Sequence, residues 1–301
     1  MPTPFILLLL AIAAACWPLP RGGWPGQVPP WALLYGAAVA MAWNRGWLQA
    51  PALAALAALS VLAAAAPRVQ NRALLVLFWL ALAGLCAALA LHRVPGFHNP
   101  VLSGRCRWSA GARPFTQHLN FGKGSVGLAL LVLLAPAAQG DGPRAIGVAS
   151  AIALATAALV LGLAWWLGMV RPDLKWSLSL ALFLPVNLLL TCVAEEAMFR
   201  LLVQDALAGR FGGRAGGGRT ALAVLLRPCC SAWPISAGGP RVALLAGLTG
   251  LGAALAYAMT GRLGAAVLVH FAVNAVHALA FSYPALAGRS LRSARAVAWT
   301  G

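Results

Sequence analysis

Ser177 to Arg200 reads SLSLALFLPVNLLLTCVAEEAMFR, an apolar run long enough to cross a bilayer that ends in two adjacent carboxylates and an arginine. Glu195 and Glu196 are the only glutamates in the chain. An ionisable side chain at membrane depth costs about 2.5–3.5 kcal/mol on insertion scales, so a neighbouring pair persists only where something offsets that cost. On a helix Glu196 and Arg200 lie four residues apart on one face, where a salt bridge can neutralise one carboxylate. Glu195, about 100° round the helix, is then left to face a cavity. Pro185 and Asn187, one to three turns upstream, would bend the helix and place polar groups inside the membrane. The plainer alternative is a helix end at the interface, where the cluster meets water.

The rest of the chain repeats the apolar character of this run. Of 301 residues, 61% are hydrophobic and 9% charged, and the mean hydropathy is +0.83. That excludes a water-soluble domain. It also excludes disorder, a coiled coil and a disulfide-stapled mini-protein, which need polar, heptad-charged or Cys-dense sequence. The expected fold class is all-α, a polytopic transmembrane helical bundle of roughly 8–10 spans at about 20 apolar residues each. Expected spans cover about 4–19, 31–43, 47–66, 73–92, 125–138, 146–170, 176–199, 219–236, 241–260 and 263–287. No room remains for a soluble domain. The run from Phe5 to Cys16 has no basic residue before it, unlike a signal peptide, and reads as a retained first helix.

A formal charge of +17, from 22 basic against 5 acidic residues, would suggest nucleic acid in a soluble protein. Here nearly all the arginines sit between apolar runs, where they fix topology and touch anionic headgroups, so the expected partner is the lipid bilayer and not nucleic acid. The longest polar interruption, His92 to Gly124, holds Arg93, Arg105, Arg107, Arg113 and Lys123 with Trp108 and Phe115, and reads as a solvated juxtamembrane loop. Its side also carries Arg171, Lys175, Arg289, Arg292 and Arg295, which predicts that it is cytoplasmic. Cys16, Cys86 and Cys192 lie in apolar runs and act as small hydrophobes, while Cys229 and Cys230 are adjacent, so no disulfide framework emerges. Phe211 to Arg219, FGGRAGGGR, lacks the Lys-Ser/Thr of a phosphate loop and reads as a connector. Gly247, Gly250 and Gly252 suit close helix packing. No transporter-type repeat is visible.

A second polar constellation lies in the last apolar run, LVHFAVNAVHALAF. His270, Asn274 and His277 fall at i, i+4 and i+7 on one helical face, in a chain with only five histidines. If this face meets Glu195 across a cavity, the set contains a general base and hydrogen-bond donors for an oxyanion, enough to activate water against an amide.

Glu195-Glu196-Ala-Met-Phe199-Arg200, followed by Leu-Leu-Val-Gln204 and about 70 residues later by His270-Phe-Ala-Val-Asn274, resembles the CAAX-protease and bacteriocin-processing (CPBP, Abi or Rce1-like) family of intramembrane endopeptidases. The resemblance covers about residues 145–287. It implies Glu195 as the base that polarises the attacking water, Glu196 and Arg200 as support, and His270 and Asn274 as oxyanion donors. The substrate it implies is a membrane-associated or hydrophobic peptide. Older descriptions call the family metalloproteases, so the resemblance leaves room for a divalent metal such as zinc.

The family also uses a His from a middle FxxxH motif, and no such motif lies between the two matches. Where it belongs, residues 227–236 read RPCCSAWPIS, with Arg227, Pro228 and Pro234 unsuited to a membrane helix. One choice of codons for these ten residues, begun one nucleotide earlier, reads Ser-Ser-Leu-Leu-Phe-Gly-Leu-Ala-His-Phe, an apolar helix with FxxxH. It puts Phe in place of Ser231 and His in place of Ile235. Compensating frame changes around positions 226 and 237 are therefore the expected origin of the segment. As written, the chain lacks the middle His, and His277 is a candidate substitute.

The expected organisation is residues 1–124 as N-terminal helices with a basic loop, 125–287 as a CPBP-like protease core, and 288–301 as a basic tail. The expected function is membrane endopeptidase. The alternatives are a catalytically inactive peptide-binding, immunity or scaffold protein, and a proton-coupled transporter using the buried Glu and His as a relay. The expected location is a cell membrane, the bacterial inner membrane in an Ala/Arg/Gly-rich chain of this kind.

Overall fold

The computed structural model describes residues 1–16, 28–135, 142–205 and 239–287. Among them are nine helices: α1 (Thr3–Cys16), α2 (Pro30–Asn44), α3 (Ala50–Ala65), α4 (Arg72–Ala90), α5 (Phe121–Leu133), α6 (Gly142–Trp166), α7 (Leu178–Gln204), α8 (Pro240–Thr260) and α9 (Leu263–Ala280). Six stretches, α3 with its extension to Arg68, α4, α6, α7, α8 and α9, are long and apolar enough to cross a membrane, while α1 and α5 are shorter apolar helices. The chain is a multi-pass helical membrane protein. The expected run at 219–236, the connector at 211–219, the anomalous 227–236 segment and the tail at 288–301 lie outside the described residues.

α7 occupies the middle of the bundle. It packs against α1 and α5 on one side and against α8 and α9 on the other, while α6, α8 and α9 pack on one another. Its backbone is irregular where the sequence predicts a bend. Pro185 removes one helical hydrogen bond, and the chain then runs as a π-helix over Asn187–Cys192, an α-turn over Val193–Ala197 and a second π-helix over Met198–Gln204. The wider register makes residues five apart neighbours, and the Cys192 thiol donates to Asn187 Oδ1 at 3.4 Å.

Two small residues set how closely neighbours approach. A Cβ on Gly127 of α5 would stand 3.1 Å from the backbone of Ala194, next to Glu195, and one on Gly252 of α8 would overlap the Thr156 hydroxyl of α6. Gly127→Val therefore pushes α5 off α7. The expected result is a loss of about 1–3 kcal/mol from overpacking, read as a lower thermal midpoint in detergent.

The stretch from His92 to Gly124 is not one solvated loop. Val101–Cys106 (β1) and Phe115–His118 (β2) form an antiparallel hairpin pairing Val101 with His118 and Cys106 with Phe115. Trp108 and Phe115 pack with Phe183 of α7 and with Tyr283 in one aromatic cluster, the Trp108 and Tyr283 rings stacking at 5.2 Å. Aromatic area that would be costly in water is thereby partly buried. The expected last span, 263–287, also shortens. The helix stops at Ala280 because the following segment pairs by backbone with residues 171–175, through Ser282 N to Arg171 O and Asp173 N to Ala280 O. α5 in turn begins at Phe121, four residues before the expected 125, because Asn120 caps it by accepting from the Lys123 backbone N–H at 2.8 Å.

Candidate active site

Glu196 is the most deeply buried carboxylate of the site, with its side chain 3% exposed, and it survives there by being fully paired. Arg200 Nε donates to Glu196 Oε2 at 2.6 Å, and His270 Nδ1 from α9 meets Oε1 at 2.9 Å. The i, i+4 pairing expected from the sequence is thus formed. Arg200, 1% exposed, spends its other donors on Gln204 Oε1 at 3.2 Å and on the Gly250 carbonyl of α8 at 3.4 Å. Gln204 reaches the Ala254 carbonyl, and Tyr257 of α8 donates to Asp205, so a polar seam joins α7 to α8. Gly250 serves this seam by offering its backbone.

Glu195 points the other way and is about one-third exposed. It is not left free, as the sequence suggested. Lys123 from the first turn of α5 donates to Oε1 at 2.6 Å, while Oε2 faces His270 Nε2 across 3.9 Å. Lys123, read from sequence as part of a solvated loop, belongs to the site. Gly127 is the reason it reaches: one turn further along α5, its missing side chain lets that helix lie against Ala194. The described cluster then holds two carboxylates against two fixed cations.

His270 lies between the carboxylates. A carboxylate can only accept, so the ring nitrogen facing Glu196 must carry a proton, which leaves Nε2 turned toward Glu195. The 3.9 Å gap is too long for a direct hydrogen bond and of a size that one water oxygen can bridge at about 2.8 Å to each side.

Asn274, one turn beyond His270, donates through Nδ2 to Asn187 Oδ1 at 3.2 Å and also approaches Cys192 Sγ. Asn187, expected only to bend the helix and add polarity, therefore orients Asn274. The structure does not bring His277 to the pair of carboxylates. Two turns from His270, its ring lies 5.0 Å from Tyr283 in the aromatic cluster.

The donor set does not fit a divalent metal among the described residues. Both oxygens of Glu196 are engaged, one oxygen of Glu195 is held by an ammonium, and Lys123 and Arg200 occupy the places a cation would take. No group of three His, Cys, Asp or Glu side chains is placed to hold an ion among these residues.

This geometry, a Glu-Glu-Arg cluster on one central helix facing His and Asn on the last, stands on the segment that a family comparison picks out. Residues 176–276 match the family described as Type II CAAX prenyl endopeptidase Rce1-like. The match includes all of α7 and α8 and most of α9, and with them Glu195, Glu196, Arg200, His270 and Asn274. Lys123 lies outside the Rce1-like segment. The match makes this part of the chain similar to that family and does not extend to the rest of it. No curated protein and no solved structure matches the chain.

Proposed function

We propose that the protein is an intramembrane endopeptidase that hydrolyses a peptide bond of a membrane-associated peptide or protein, in a bacterial inner membrane. The observation that carries this reading is the opposition of Glu195 Oε2 and His270 Nε2 across 3.9 Å at a partly open site. A water held between them donates one hydrogen to each, and its lone pair is left for a carbonyl carbon. As its oxygen bonds to that carbon, Glu195 takes the proton; when the C–N bond breaks, Glu195 returns it to the leaving amine. Asn274, oriented by Asn187, turns the amide hydrogen that faces Cys192 Sγ toward the oxyanion as it forms.

The family resemblance implies an oxyanion role for His270. Its contact with Glu196 suits a different one, because a neutral ring protonated at Nδ1 presents Nε2 as the second acceptor for water. That is the task the absent FxxxH histidine would have performed. A second reading, a catalytically inactive peptide-binding or scaffold protein, is favoured by the 227–236 segment as written.

Proteoliposomes carrying the purified protein and a library of membrane-anchored peptides separate the two. The endopeptidase reading predicts new peptide termini by mass spectrometry that form equally in EDTA. Peptide binding without any cleavage supports the scaffold.

A further inference from the structure

The start of α5 carries one cation across to α7. It reads Phe121-Gly-Lys-Gly-Ser-Val-Gly127, with glycines where the neighbouring helices press closest. A Cβ on Gly122 would meet the Leu89 side chain of α4 at 3.3 Å, one on Gly124 would stand 2.7 Å from Leu190 Cδ2 of α7, and Gly127 lies against Ala194. Asn120 fixes the same turn, accepting from the Lys123 N–H while its side-chain amide donates to the Ala90 carbonyl at 3.2 Å. The first turns of α5 are thus locked between α4 and α7. From there Lys123, its side chain 17% exposed, reaches Glu195 at 2.6 Å.

The charges of the site balance only when Lys123 is counted. Around His270 stand Glu195 and Glu196 of α7 and Lys123 of α5, with Arg200 behind Glu196 and the Cys192 thiol beside Asn274. Arg200 matches Glu196 and Lys123 matches Glu195, so the His270 ring has no charge to supply and its Nε2 keeps a lone pair. Without Lys123, the nearest group among the described residues able to carry a positive charge toward Glu195 is the imidazole at 3.9 Å. On taking up a proton the ring would become the missing counter-ion and draw Glu195 in, closing the gap in which a water fits. An imidazolium carries N–H at both nitrogens and accepts nothing from water.

We propose that Lys123 is the positioning residue of this site: paired with Glu195 Oε1, it keeps His270 uncharged and holds the carboxylate back from the ring. Its link to catalysis rests on the endopeptidase reading. α5, outside the segment that matches the family, then completes the site that α7 and α9 begin.

The test reads the ring and the reaction separately. Protein labelled with nitrogen-15 histidine is placed in phosphatidylcholine bilayers at neutral pH, and magic-angle-spinning NMR follows His270, assigned among the five histidines by His270→Gln. The wild type is expected to show one protonated and one bare ring nitrogen. Lys123→Gln, which keeps a hydrogen-bond donor and removes the charge, is expected to show both protonated, and Lys123→Arg to restore the wild-type pattern. Lys123→Met carries the same expectation as Lys123→Gln and replaces it where the glutamine variant does not fold. In proteoliposomes Lys123→Gln is expected to lower kcat about 10²-fold with KM unchanged, and the loss is expected to shrink as rising pH strips the imidazolium of its proton. A bare nitrogen that persists in Lys123→Gln, or a ring already doubly protonated in the wild type, would overturn the proposal. So would a kcat loss of the same size at every pH, which marks a packing role, or a Lys123→Arg protein that behaves as Lys123→Gln does. Because the spectrum needs no turnover, the expected change in the ring without cleavage of any peptide refutes the endopeptidase reading and leaves the hold of Lys123 on His270 standing.

Discussion

Glu195→Gln is expected to leave a folded protein whose cleavage rate falls about 10²–10⁴-fold, the contribution of a positioned general base. The amide keeps the shape of the carboxylate and can still accept from Lys123, so the packing of α5 on α7 is retained. What it lacks is the capacity to take a proton from the water opposite His270. The contrast with Glu196→Gln is informative. That substitution alters the partner of both Arg200 and His270 and is expected to lower stability and activity together, whereas Glu195→Gln lowers activity alone. Initial rates in proteoliposomes and thermal midpoints measured on the same preparations separate the two patterns. A Glu195→Gln protein that cleaves at the wild-type rate would mean that this carboxylate only meets water at a helix end.

The largest effect on stability is expected from Arg200→Met. Its guanidinium is buried, and its loss leaves Glu196 a buried carboxylate facing His270 alone. Removing one partner of such a pair costs about 3–5 kcal/mol, because the remaining charge has neither water nor a counter-ion. For a chain of this size that is a fall in midpoint of roughly 6–20 °C. Combining Arg200→Met with Glu196→Gln is expected to recover part of the loss, since no uncompensated charge remains. A single Arg200→Met variant within 2 °C of the wild type would show that the polar seam between α7 and α8 is solvated and contributes little.

The sequence discloses what is local along the chain. The helices are legible because a bilayer demands long apolar runs, and Glu196 with Arg200 is legible because four residues make one helical turn. Asn274 and His270 share a face for the same reason. The π-helical widening of α7 is not legible, since Pro185 announces a disturbance without its register. The aromatic cluster shows only as isolated letters, because Trp108, Phe183 and Tyr283 meet through the fold.

Lys123 is the instructive omission. It lies 72 positions from Glu195, inside a polar interruption whose arginines suit a membrane surface. Two signals were present. Lysine occurs only twice in a chain with 22 basic residues, and Asn120 stands three positions before Lys123 as a helix cap would. Together they start α5 earlier and carry a charge to membrane depth, where a partner carboxylate is needed.

The central claim is that this site adds water across a peptide bond. It is tested most directly by running the proteoliposome reaction in water enriched in oxygen-18. The mechanism predicts one heavy oxygen in the new carboxylate of the N-terminal product, present with the wild type and lost with Glu195→Gln. Products that form without the label, or a label that persists undiminished in Glu195→Gln, would contradict it.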